Sequence, residues 1–131
     1  MKDNNVIKLV SLDVFAGTNG QKAVLELDVY GKVLKTEQSG DGPVDSIFKS
    51  IKEIFPHEAN LQLYQVHAVT EGTDAQATVS VRIEEKGKIS VGQAADTDTL
   101  VASAKAYINA LNKLIIKRKR TAPNDEFSAA I

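Results

Sequence analysis

No cysteine occurs among the 131 residues. That excludes a disulfide framework, a thiolate metal site and a cysteine nucleophile, and it leaves cytoplasm as the default expectation without redox evidence for any compartment. Only two histidines are present, His57 and His67, and no H-x-H or H-E-x-x-H spacing directs two imidazoles at one metal. A satisfied structural or half-exposed histidine is expected at His67, inside a strand-like run, and a solvated one at His57, beside Pro56. No uninterrupted apolar run exceeds four residues, against the roughly 20 needed to cross a bilayer. The start Met1-Lys2-Asp3-Asn4-Asn5 lacks the apolar core of a signal peptide, so neither export by that route nor membrane anchoring is expected. An excess of either charge is missing as well: 16 Lys plus Arg stand against 17 Asp plus Glu, a net charge of −1. Dedicated nucleic-acid-binding domains usually carry a clear basic excess.

What is present suits one folded domain. Apolar residues make up 43% and charged residues 25%, inside the ordinary soluble range. Val6 to Ala16 alternates loosely and ends in the turn signal Gly17-Thr18-Asn19-Gly20; from Lys22 to Tyr30, Ala23, Leu25, Leu27 and Val29 share one face. Gly31-Lys32 turns the chain into a short third strand, Val33 to Thr36. Pro43 suits a first helical turn, and Val44, Ile47, Phe48, Ile51, Ile54 and Phe55 recur at helical spacing, which predicts a helix over about 43–55. After Pro56 a strand from Leu61 to about Gly72, a second hairpin through Val79, Val81, Ile83 and Gly87, and a return over Lys88 to Val91 are expected. Asp96-Thr97-Asp98 then supplies N-cap side chains to a helix reaching about residue 118. A frayed tail is expected over 119–131.

A shift of 56 residues lays the halves on each other: Leu25 falls on Val81, Leu27 on Ile83, Gly31 on Gly87, Val33 on Ile89 and Val44 on Leu100. The expected fold is therefore α+β, a duplicated βββα unit with two antiparallel sheets and two helices, its repeats at about 6–55 and 60–118 of a domain over 1–118. One unit has too little core, so the two must pack together.

Little of this looks catalytic. The run Lys117-Arg118-Lys119-Arg120 has no interleaved aromatic residue, and residues 1–116 carry 12 basic against 15 acidic side chains, which favours a solvated helix end over a phosphate contact. Asp41 and Asp45, like Asp96 and Asp98, sit at helix starts, where capping is the expected role. Two loops remain, Ser39 to Pro43 and Gln93 to Asp98, each read as closing a sheet and opening a helix. Gly40 and Gly42 either admit a ligand to helix-start amides, a setting suited to a small carboxylate, or serve only a tight turn. Small residues at 68, 75 and 77 leave volume for a branched aliphatic ligand or for a partner chain.

Three ordered motifs carry a resemblance: Gly40-Asp41-Gly42-Pro43-Val44-Asp45, the stretch Tyr64 to Ala75, and Asp96-Thr97-Asp98 with Ala102 to Asn112. Over about Val6 to Leu114 the chain resembles the C-terminal regulatory domain of 2-isopropylmalate synthase. The resemblance implies a homodimer that binds L-leucine and inhibits a separate catalytic barrel of the parent chain, itself missing here. In the family that barrel transfers an acetyl group from acetyl-CoA to 2-oxoisovalerate with a divalent metal. The fragment would hold no cofactor of its own and no catalytic residue, and no nucleic acid or membrane is implied as a partner. By position the effector site would fall on Gly42, Val44 and Asp45, on Tyr64 and Ala68, on Ala75 and Ala77, and on Gln93 and Ala95. The polar end of the effector would face Gly42 and the amides after it, with Tyr64 as a hydroxyl partner and the alanines making room for an isobutyl group. Related citramalate synthases carry a similar domain that senses isoleucine, and one displaced methyl is discriminated by only about 1–3 kcal/mol. A structural dimerisation module without an effector is the remaining alternative.

Overall fold

The computed structural model describes residues 6–18, 20–69 and 76–130, except the side chains of 68, 69 and 119–130. The element order is β1 (Ile7–Gly17), β2 (Gly20–Val29), β3 (Lys32–Gly40), α1 (Pro43–Ile54), β4 (Asn60–Val69), β5 (Gln76–Glu85), β6 (Lys88–Asp96) and α2 (Thr99–Ala130). Two three-stranded antiparallel sheets result, ordered β1-β2-β3 and β4-β5-β6. Helix α1 packs on β2 and β3, α2 packs on β5 and β6, and α2 also reaches α1 and β1. The halves thus share one core. Leu25, Leu27, Ile47, Ile51, Val79, Val81, Ile83, Leu111 and Leu114 are all fully buried in it.

The duplication holds element by element. Gly20, Lys32 and Pro43 open β2, β3 and α1; Gln76, Lys88 and Thr99, each 56 residues on, open β5, β6 and α2. Both second hairpins turn on a pair with positive φ, Tyr30-Gly31 (54° and 85°) and Lys86-Gly87 (52° and 83°), the backbone that matches strand twist in a two-residue hairpin. The first strands obey a different shift. Leu12 faces Leu25 and Tyr64 faces Val81, a displacement of 52, because residues 70–75 join β4 to β5 where only 18 and 19 join β1 to β2. Even the irregularity repeats: the register slips between Leu9 and Ser11 and again between Leu61 and Leu63.

Three expectations need correction. The third strands are longer than the hydrophobic alternation predicts, because Glu37 to Gly40 and Gln93 to Asp96 still pair with β2 and β5. Gln93 to Asp96 is therefore strand and not loop. The helical backbone of α2 continues to Ala130, past the expected end near 118, although Pro123, a residue that ordinarily costs a helix interior about 3 kcal/mol, lies within the added stretch. Two residues of the basic run, Lys117 and Arg118, are finally engaged within the chain where the sequence predicts a solvated helix end. Arg118 grips Glu85 through Nε–Oε1 (2.7 Å) and Nη2–Oε2 (2.6 Å), and Lys117 donates to the Ile89 carbonyl.

Helix α2 also closes the outer edge of its sheet. Asn109, Lys113 and Lys117 recur every four residues and donate to the carbonyls of Gln93, Val91 and Ile89, which recur every two along β6. Helical and strand periods meet here, and three acceptors of that edge are occupied.

Candidate functional site

The two helix starts are equivalent by repeat and opposite in chemistry. At α2 the N-cap is Asp98, whose Oδ1 accepts from the amides of Leu100 (2.8 Å) and Val101 (3.4 Å). At α1 the equivalent residue is Gly42, and no side chain caps the helix. Pro43 has no N–H, so the amides of Val44 and Asp45 occupy the positions that Asp98 satisfies in the other repeat. The Asp45 carboxylate is turned back, accepting from the Asp41 amide (3.0 Å) and pairing with Lys49 (3.3 Å). Those contacts, the Asp41 bond foremost, hold its carboxyl below the usual range. The α1 tip consequently presents amide donors and a helix-dipole positive end with its nearest acid already engaged.

The two glycines of the loop now separate. A Cβ on Gly40 would lie 2.6 Å from Asp45 Oδ2 and 2.8 Å from the Ser46 nitrogen, so Gly40 serves the tight turn. Gly42 has an extended backbone (φ −165°), and a Cβ there would meet only Gln21 Oε1 at 4.0 Å. Neither sterics nor conformation requires a glycine at 42. Gln21 Oε1 is itself buried without a hydrogen-bond partner among the described residues, beside the uncapped tip.

From this tip an aromatic row leads inward. Phe48, one turn after Val44, meets Tyr64 edge-on (centroids 6.0 Å apart) and stacks on Tyr107 (4.2 Å). The Tyr64 hydroxyl lies 2.6 Å from Ser103 Oγ; the Ser103 proton goes to the Thr99 carbonyl, so Tyr64 donates. Tyr64 faces Val81 across the β4–β5 ladder, on the side that Val79 and Val81 turn to the core, and the backbone of Ala68 is in register with Ala77. Gly42, Val44 and Asp45 thus belong to the tip of α1, Tyr64 and Ala77 to the helix-covered side of the second sheet, and Ala68 to the β4 backbone in register with Ala77. Gln93 and Ala95 do not join them. They face Ser80 and Thr78, on the opposite side of the sheet, and Gln93 donates to Ser80 Oγ (3.0 Å). Ala75 lies outside the described residues. Asp96 and Asp98 cap as expected, Asp96 accepting from the Asp98 amide (2.9 Å).

His57 is the clearest departure from expectation. It is 7% exposed, because the chain after Pro56 folds its ring under Tyr107. Its Nδ1 accepts from the Ala59 amide (3.1 Å), which leaves Nε2, 3.1 Å from the Tyr107 hydroxyl, to carry the proton of the neutral ring. Burial, then the nearby Lys52, depress its pKa, with Glu85 opposing and Arg118 adding a smaller push. Burial also raises the Tyr107 hydroxyl to about 12. His67 is exposed on β4.

A stability profile follows. Between the ordinary histidine value near 6.5 and the depressed folded value, the unfolded chain binds more protons than the folded one, so stability is complete above about 6.5 and falls on acidification. Asp45, Glu85 and Asp96, all held low, add their losses only in the carboxylate range. The urea midpoint should therefore drop between pH 7 and pH 5, and His57→Gln should flatten that drop. Equal drops in variant and parent would refute the assignment.

Residues 1–115 match the family model described as the LeuA allosteric (dimerisation) domain. The chain belongs to that family. It is 62% identical over 117 residues to a 2-isopropylmalate synthase of Caulobacter sp. (strain K31), covering 89% of this chain and 22% of that protein. Over 126 residues it is 60% identical to a 2-isopropylmalate synthase of Bradyrhizobium sp. (strain ORS 278) and 56% identical to one of Rhodopseudomonas palustris (strain TIE-1), in each case covering 95% of this chain and 24% of the relative. The LeuA-type chain therefore spans about a quarter of the relatives it matches. Among its described residues no three His, Asp or Glu side chains gather as a metal site, and no helix is long and apolar enough to cross a membrane.

Proposed function

We propose that this chain is the regulatory domain of a cytoplasmic 2-isopropylmalate synthase, binding L-leucine at the α1 tip and relaying its presence to a catalytic portion as feedback inhibition. The domain acts as a homodimer in this reading. Acetyl-CoA, 2-oxoisovalerate and a divalent metal belong to the catalytic portion, an acyltransferase, and the domain itself performs no chemistry. The observation that carries the reading is the missing cap: α2 holds its own carboxylate at Asp98, whereas α1 offers the same two amides with a glycine at the N-cap. The effector's carboxylate takes the vacant role at Val44 and Asp45, and its side chain extends toward Tyr64 and the small residues Ala68 and Ala77. Ligand-linked coupling of this kind is typically worth about 1–3 kcal/mol.

Calorimetric titration of the chain with leucine, isoleucine and valine tests the reading directly. Heat with leucine is expected; preference for isoleucine would transfer the domain to the citramalate class, and no heat with any of the three at millimolar concentration would leave a dimerisation module. Gly42→Asp makes the sharper variant, because it builds into α1 the cap that α2 already has. Stability should stay level or rise by a few tenths of a kcal/mol, while leucine affinity should fall at least about tenfold. Unchanged leucine binding in Gly42→Asp would remove the α1 tip from the site.

A further inference from the structure

Two open sheets have four edge strands, and three of them are blunted in the ways natural edges usually are, by charge or by cover. The β6 carbonyls of Gln93, Val91 and Ile89 are taken by Asn109, Lys113 and Lys117. Strand β1 carries Lys8 and Asp13 and is held at its start by Asn112, and β3 carries Lys32, Lys35 and Glu37. The fourth, β4, reads Asn60-Leu61-Gln62-Leu63-Tyr64-Gln65-Val66-His67-Ala68-Val69. It has no Lys, Arg, Asp or Glu, and no Pro or Gly to interrupt a ladder. Leu61, Leu63 and Val66 are 45%, 40% and 44% exposed on it, while Val81 and Val79, the ladder partners of Tyr64 and Val66, are fully buried.

We propose that β4 is the seam between two copies of this chain, lying antiparallel to the β4 of a second copy so that two three-stranded sheets merge into one of six. The inference rests on the dimeric reading above and adds where the copies meet. A second copy is the fitting occupant because a strand without charge can pair with itself across a two-fold axis with no like charges opposed, and because the family is described as a dimerisation domain. Pairing covers the exposed leucines and valine and satisfies the outward backbone groups of the edge, which a lone chain leaves as a template for aggregation.

The absence of cysteine makes the test clean. A two-fold axis perpendicular to the merged sheet sets one residue of β4 opposite its own copy, within disulfide reach. Cysteine is placed singly at Leu63, Tyr64, Gln65, Val66 and His67, with Val91→Cys on β6 as control, and each variant is mildly oxidised in the full chain. Disulfide-linked dimers should peak at one β4 position or its immediate neighbours and be absent from Val91→Cys. Sedimentation of the parent chain separates the two possible failures. A monomer at every concentration overturns the dimeric reading and the seam together, whereas a dimer with no β4 cross-link, or with Val91→Cys linking as readily, overturns the seam alone. Val66→Lys gives a second measure: it should weaken self-association at least about a hundredfold with its circular dichroism unchanged, and a folded variant of parental affinity would also overturn the seam.

Discussion

Replacing Gly92 by alanine should cost the domain at least about 3 kcal/mol, at or beyond the upper end of ordinary overpacking, and Gly92→Val should yield no folded protein. The cause is the approach of α2 to β6. Ala102, Ala106 and Ala110, four residues apart and fully buried, form a stripe without bulk, and Ser90 Oγ donates to the Ala110 carbonyl (2.6 Å). A Cβ on Gly92 would overlap the Ala106 carbonyl oxygen and the Ala110 amide nitrogen, with the Ala110 Cα at 3.0 Å. These are backbone atoms of a helix, which cannot swing aside as a side chain does, so the helix itself must lift. Lifting it loosens Leu111 and Leu114 from the core and pulls Asn109 and Lys113 off the β6 carbonyls. Since domains of this size are stable by only about 5–15 kcal/mol, the loss is a large share of the total. Urea denaturation of Gly92→Ala beside Gly42→Ala checks it, because alanine at 42 meets nothing closer than 4.0 Å. Similar midpoints for the two variants would contradict the packing account.

Gly92 also marks where sequence reading reaches its limit. A glycine between Val91 and Gln93 reads as a strand end, because alternation stops there, and the helix it admits comes from residues 14 and 18 positions later. The duplication was legible because strand and helix periods are local, and the 56-residue shift preserved them through Leu25/Val81 and Val44/Leu100. The 52-residue shift of the first strands was not, since it depends on pairing register across a connection of different length. At the candidate site, Gly42, Val44 and Asp45 are neighbours in sequence, so a helix start could be read from them directly. What sequence could not supply was the contrast with Asp98, nor the face of Gln93 and Ala95, which one residue of register reverses. His57 misled for a related reason: a histidine after proline looks like a turn residue, and Tyr107, which covers it, is 50 residues away.

Asn112→Ala should be the second large loss, about 3–5 kcal/mol when the groups it strands are taken together. Asn112 is 4% exposed and faces the start of β1. Its Oδ1 accepts from the amides of Val6 (2.9 Å) and Ile7 (2.8 Å), and its Nδ2 donates to the Ile7 carbonyl (2.9 Å). One side chain of the second repeat thereby completes the backbone bonding of the first strand, 105 residues away. Ile7 is 1% exposed, so water cannot replace what alanine removes, and a buried unpaired backbone group costs about 1–3 kcal/mol. Asn112→Asp distinguishes lost bonding from lost volume. It keeps both acceptor contacts, strengthened by charge, but sets a carboxylate oxygen against the Ile7 carbonyl, so its stability should lie between parent and alanine and recover as the carboxyl protonates. If alanine and aspartate were equally stable at neutral pH, Asn112 would be filling space and not joining the repeats. A double variant, Asn112→Ala in a chain starting at residue 8, should lose far less than the sum of its parts, because the partners of Asn112 are then gone as well.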